Sequence, residues 1–430
     1  MNRPGPRLLF STNLNFDFVI VAPAIAFRRK IQRKFRIAHF SSLCYYHSVM
    51  LTNTQEKLIS ILRAELTGTD EADLSGLSDQ ELAAIYHLAK AHNLSSMAGD
   101  YMSRHSVMNK VILRDMAYAQ SNVEHMDKVM TEVTKALTDA RIPFLPLKGV
   151  QMRKLYPKPW MRLSGDIDFL IHKEDKESFT KALRDTLSYT YEPGIGEDHF
   201  TTSDDVLLDV STTLHGPDSI DANGSLYSDI WDHAAPEKDD STLYILSDAM
   251  RYTHAVIHMA KHLRHGGCGI NHLMDLWVLN HRIPVDAEKK SARLALIKEK
   301  HLEKIAEELE KISEKWFSAA ETPVDTELEE YILSGAAHGT QKAKVSVNRK
   351  GLSKARYMLN RFFVPYNHLK ILFPQIEGKR WLTPFYEVYR WNYHAKNGRT
   401  GIIMNEFKES DAMTDDLIEL NTGIMDRYGL

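Results

Sequence analysis

Two aspartates, Asp166 and Asp168, stand two residues apart in Arg162-Leu-Ser-Gly-Asp-Ile-Asp-Phe-Leu-Ile171, inside an otherwise apolar run. Alternate side chains of a strand share a face, so both carboxylates point one way while Ile167, Phe169 and Ile171 point into a core. Like charges that close raise one another's pKa unless a cation lies between them, and hard oxygen donors favour Mg²⁺. The bland alternative is a solvated strand carrying two acids by chance, which is the commoner reading of a bare Asp-x-Asp. The flanks argue against it. Upstream, Ile142-Pro-Phe-Leu-Pro-Leu147 reads as a buried strand ending in Lys148-Gly149, followed by a helical run from Val150 to Leu155. A strand, a glycine turn and a helix N-terminus together form a phosphate cradle, with Lys148 beside it. Downstream, Asp205-Val-Leu-Leu-Asp-Val210 is a second apolar strand in which Asp209 is a candidate third carboxylate. His199, just before it, reads as a plain loop residue more readily than as a cleft residue.

Taken together, Gly149, the short helix, Gly165-Asp166-Ile-Asp168 and the later acid Asp209 resemble the nucleotidyltransferase superfamily that includes DNA polymerase beta. The Leu-Lys-Gly turn, with Tyr156-Pro157 and Arg162 before Gly-Asp-Ile-Asp, is similar to a little-characterised bacterial nucleotidyltransferase group. The likeness runs from about Leu51 to the C-terminus and is strongest from Phe144 to Asp209. It implies an α+β fold, a small mixed sheet flanked by N- and C-terminal helical domains. It also implies a Mg²⁺-dependent enzyme that moves a nucleoside monophosphate from an NTP, taken to be ATP, to an unidentified hydroxyl acceptor and releases pyrophosphate. On this resemblance Asp166, Asp168 and Asp209 hold two Mg²⁺ ions and are the catalytic residues. Lys148, Gly149, Arg162, Gly165, His258 and His262 line the nucleotide site. The sequence departs from the pattern at Val150, where Gly or Ser usually follows the turn glycine, and at Ser211, where a histidine is expected two residues after the third acid. Those departures support one rival reading, a weak or inactive relative that binds a nucleotide or a partner.

The elements that must position these residues fall into four segments: a basic extension at 1–49, a helical domain at 50–140, the catalytic core at 141–235 and a helical region at 236–430. The first 49 residues carry eight basic residues against one acid, although the whole chain has a net charge of −3. That asymmetry marks 1–49 as a separate piece, read here as non-native or disordered, with Met50 as the start of the folded protein. Phe18 to Phe27 is too short an apolar run to span a bilayer. The near-neutral balance argues against general nucleic-acid binding. Two cysteines, Cys44 and Cys268, support no disulfide framework and fit a reducing, cytoplasmic setting.

Apolar residues recur at helical spacing from Gln55 to Thr138, with Ser78-Asp-Gln-Glu81 as a capping box. Glu174 to Leu187 predicts an amphipathic helix with Phe179, Leu183 and Leu187 inward. His254, His258 and His262 fall on one face of a later helix, followed by His265, His272 and Asp275, a set that could bind zinc or iron, and the first three are the basis of a second rival, a histidine-based metallohydrolase. No His-Glu-x-x-His order and no adjacent His-Asp pair accompanies it, so the preferred reading has His258, Lys261 or His262 facing phosphates. Ala287 to Trp316 predicts one long charged helix, and Ser334 to Gly351 a mobile Gly-rich loop. The aromatics between Ala355 and Tyr393 are read as core of docked helices, and the last thirty residues as weakly ordered.

Overall fold

The computed structural model describes residues 52–430 apart from 70, 71, 195, 215–224, 338 and 397–399; the basic stretch 1–49 lies outside the described residues. The protein is α+β, a five-stranded mixed sheet with helices before and after it in the chain. The strands are β1 (Phe144–Pro146), β2 (Asp166–Ile171), β3 (Thr190–Glu192), β4 (Asp198–Thr201) and β5 (Leu207–Ser211), in the spatial order β1-β2-β5-β4-β3. β2 and β5 are parallel neighbours and the other pairs are antiparallel. A hairpin of β6 (Ala234–Pro236) and β7 (Tyr244–Leu246) adjoins β1, where the Phe144 amide donates to the Thr242 carbonyl at 2.9 Å.

Helices α1 (Asn53–Thr67), α2 (Asp79–Ala91) and α3 (Ser95–Arg104) lead into α4 (Lys110–Asp139). Capping boxes at Thr52/Gln55 and Ser78/Glu81 start α1 and α2, each satisfying amides that the helix itself leaves unpaired. The long α4 buries Met126, Val129, Val133 and Leu137 at helical spacing against the inner face of the sheet. There Ile167, Phe169 and Ile171 of β2 meet Phe179, Phe200 and Leu208, as the two-residue alternation requires. On the other face Leu170 continues the row of Asp166 and Asp168. It packs with Leu145, Leu246 and Met250, the last from α7 (Asp248–Arg264). One end of that row is therefore sealed by a helix and the other end carries the carboxylates.

Between these elements lie the short α5 (Gly149–Met152) and α6 (Lys176–Lys181); α6 runs on as a π-turn over Ala182–Thr186 that buries Leu183. After α7 comes α8 (Ile270–His281). The helical segments on either side of the sheet share a core: Leu58, Leu62 and Tyr101 belong to one cluster with Leu263, Leu276 and Ile312. No helix among the described residues is long and apolar enough to cross a membrane.

Four expectations change. The charged stretch is two helices, Ala287–Glu299 and Glu303–Phe317, because His301 adopts φ 57° and the Leu302 amide turns back to the Ile297 carbonyl. The Gly-rich segment holds a helix, Gln341–Asn348, with Val345 and Ser346 buried. Its glycine serves close backbone approach, since a Cβ on Gly339 would lie 2.5 Å from the Gly266 carbonyl carbon. The chain ends in a helix, Asp415–Tyr428, that buries Ile424 and Met425 in the main core. The C-terminal aromatics split: Phe373 sits in a small cluster with Leu369 and Ile376, while Trp381 and Phe385 are 70% and 67% exposed.

Candidate active site

The turn between β1 and α5 puts Lys148 at the mouth of the sheet. Its backbone adopts φ 48°, ψ −118°, a conformation that L side chains rarely take. Such strain costs about 1–3 kcal/mol and concentrates at functional positions. The Leu147 amide donates to the Asp168 carbonyl at 2.9 Å, and the Lys148 ammonium lies 3.4 Å from the Asp168 carboxylate. Gly149 is required by space: a Cβ there would fall 2.8 Å from both Cβ and Oγ of Ser164. Val150, the first departure from the superfamily pattern, turns its side chain into the inner core. Ser164, which the sequence did not single out, brings a hydroxyl to the same turn. Lys148→Gly relaxes the backbone while removing the cation, so we expect a melting temperature close to that of the parent with nucleotide transfer reduced roughly 10²-fold. A collapse in stability measured by thermal melting contradicts this.

Asp166 and Asp168 are both half-buried on one face of β2, and the β2–β5 register sets Asp168 beside Asp209. Asp209 also faces His199 across the β4–β5 pair, with His199 Nδ1 2.7 Å from its Oδ1. His199 is thus a strand residue in contact with the third acid, not a loop residue. A histidine does meet Asp209, from the neighbouring strand instead of from position 211. Glu197 adds a fourth acid: one carboxylate oxygen lies within 4.8 Å of the donor atoms of His199 and Asp209. Burial of its carboxyl, with the charges of Asp209 and Asp168, pushes the Glu197 pKa up. The set Asp166, Asp168 and Asp209 is not itself drawn within 4.8 Å among the described residues. Lys148 engages one member and His199 another, which spaces the like charges. Carboxylate oxygens gathered on one face of the sheet are hard donors of the kind a divalent cation takes.

Arg162 lies deeper. The residue is 7% exposed and its guanidinium bonds both Asp275 oxygens of α8, at 2.8 to 3.1 Å, while the Tyr156 hydroxyl donates to the same carboxylate at 2.7 Å. Burial alone would lower the guanidinium's pKa, but the charge and hydrogen bonds of Asp275, with the Tyr156 and Asp166 charges, together outweigh it and the net shift is upward. Arg162 therefore ties the segment leading into β2 to α8. Gly165, next to Asp166, has open space where a Cβ would stand. A cavity beside the aspartates is lined by Lys148, Gln151, Arg162, His254, His258 and further residues of α7 and α8. Lys148 belongs to both the cavity and the carboxylate row, and His262 is outside the lining. The Tyr227 hydroxyl pairs with His254 Nδ1 at 2.9 Å. Burial and the nearby Lys148 charge push the His254 pKa down to about 3.

The small mixed sheet carries an acid pair on one strand, a third acid in register on the next and a lysine-glycine turn at its edge. A model of a family of uncharacterised nucleotidyltransferases matches residues 78–318, more than half of the chain, and the protein belongs to that family. No curated protein and no solved structure matches the chain.

Proposed function

We propose that the protein transfers a nucleoside monophosphate from an NTP, ATP first among the candidates, to a hydroxyl acceptor. The observation that carries this reading is the register of β2 and β5, which sets Asp168 beside Asp209 with Asp166 on the same face and the Lys148 ammonium 3.4 Å away. The acceptor oxygen bonds to the α-phosphorus as the bond from that phosphorus to the bridging oxygen of the β-phosphate breaks, and pyrophosphate leaves. Asp209, oriented by His199, takes the hydroxyl proton. Asp166, Asp168 and Asp209 would hold two Mg²⁺ ions, which when bound neutralise charge on the attacking and leaving oxygens. Lys148 offsets triphosphate charge, Gly149 lets the turn pack against Ser164 beside the nucleotide, Gly165 leaves open space next to Asp166, and Arg162 holds β2 in place through Asp275.

The test is incubation of the protein with each α-labelled NTP, Mg²⁺ and a host lysate. Label on one acceptor class with one preferred NTP supports the reading, and no transfer with any NTP overturns it.

A further inference from the structure

We infer that His258, His262 and His272 form a binding site for a divalent transition metal of the zinc class, separate from the carboxylate row and independent of the nucleotide reading. The helical pair comes from α7 at the i, i+4 spacing that stacks side chains on one face. The third member comes from α8, across the turn at Gly266 and Gly267, both of which have positive φ. One donor atom from each ring lies within 4.8 Å of the others. Two nitrogens each about 2.05 Å from a tetrahedral centre stand roughly 3.3 Å apart. The His258 and His262 Nε2 atoms are 3.2 Å apart. The ring centroids are separated by 4.5, 5.0 and 4.9 Å, a nearly equilateral triangle about a common point.

The set differs from the one that spacing alone suggests. His254 is drawn off by Tyr227, and His272 takes its place. His272 is 6% exposed, while His258 and His262 are half-buried. An all-imidazole donor set selects zinc, cobalt, nickel or copper over Mg²⁺. No fourth His, Cys, Asp or Glu joins the group among the described residues. His258 and His272 line the cavity beside Lys148.

Chelator-stripped full-length protein is titrated with Co²⁺ in excess Mg²⁺ and followed by visible absorption. We expect one Co²⁺ per chain with the intense bands of a four- or five-coordinate ion, bleached by Zn²⁺ and not by further Mg²⁺. His262→Ala and His272→Ala should each weaken Co²⁺ binding more than roughly 100-fold, because lost outer-shell contacts alone reach that size. Asp168→Asn should retain the bands. Circular dichroism checks folding, and His262→Ala, on the less buried ring, decides the matter if His272→Ala fails to fold. Absence of the bands, their survival in a folded His262→Ala variant, or their loss in Asp168→Asn would overturn the site.

Discussion

Asp168→Asn lowers Mg²⁺-dependent nucleotide transfer by about 10³-fold or more while the protein stays folded. The carboxylate stands at the meeting point of β2, β5 and the Lys148 turn, so it faces both the Asp209 side and the cation. The amide keeps size and shape but loses the charge that a hard cation requires, and metal stabilisation of transition-state charge is worth several kcal/mol; about 4 kcal/mol corresponds to the stated factor. The folded state loses little, because the Lys148–Asp168 pair is partly solvated and such pairs contribute about 0–1 kcal/mol. Steady-state transfer with α-labelled NTP, run beside thermal melting, reads both effects. Transfer at the parental rate with unchanged Mg²⁺ dependence contradicts the assignment.

Arg162→Ala produces the largest stability loss, about 3–5 kcal/mol, because it leaves the Asp275 charge buried with only the Tyr156 hydroxyl beside it. The pair is bidentate and both side chains are nearly closed to solvent, so neither water nor salt screens the loss. Arg162→Lys recovers only part of it, since an ammonium cannot reproduce the two-pronged geometry. Replacing both partners, as in Arg162→Met with Asp275→Leu, restores more stability than either single change, because a well-packed apolar pair leaves no buried charge. Transfer also falls in Arg162→Ala, since Leu163, Ser164 and Gly165 alone separate the anchored residue from Asp166. Chemical denaturation measures the stability series, and a single Ala variant as stable as the parent would contradict the structural role given to this arginine.

The acid pair, the Lys148-Gly149 turn and the apolar strand around them were legible because strand alternation and turn chemistry are local properties. So was the capping box at Ser78, which lies within four residues of chain. The partner of Arg162 was not, because Asp275 lies 113 residues away and nothing local in the sequence pairs the two. His199 was read as loop because its meaning depends on the antiparallel register with Asp209, set by a tight turn in which Asp205 adopts φ 62°. The break at His301 also went unseen: a non-glycine residue in the left-handed region ends the helix where no glycine or proline announces it. The histidine pair on α7 was visible as spacing, but the third imidazole arrives only through the packing of α8 against it.

The central claim, that this cleft cleaves between the α- and β-phosphates, is tested most directly by parallel incubations with α-labelled and γ-labelled NTP in the presence of acceptor and Mg²⁺. The account predicts α-label on the acceptor, γ-label in pyrophosphate, and neither product with Asp168→Asn. γ-label on the acceptor or in inorganic phosphate would place the reaction at the terminal phosphate and contradict nucleotidyl transfer.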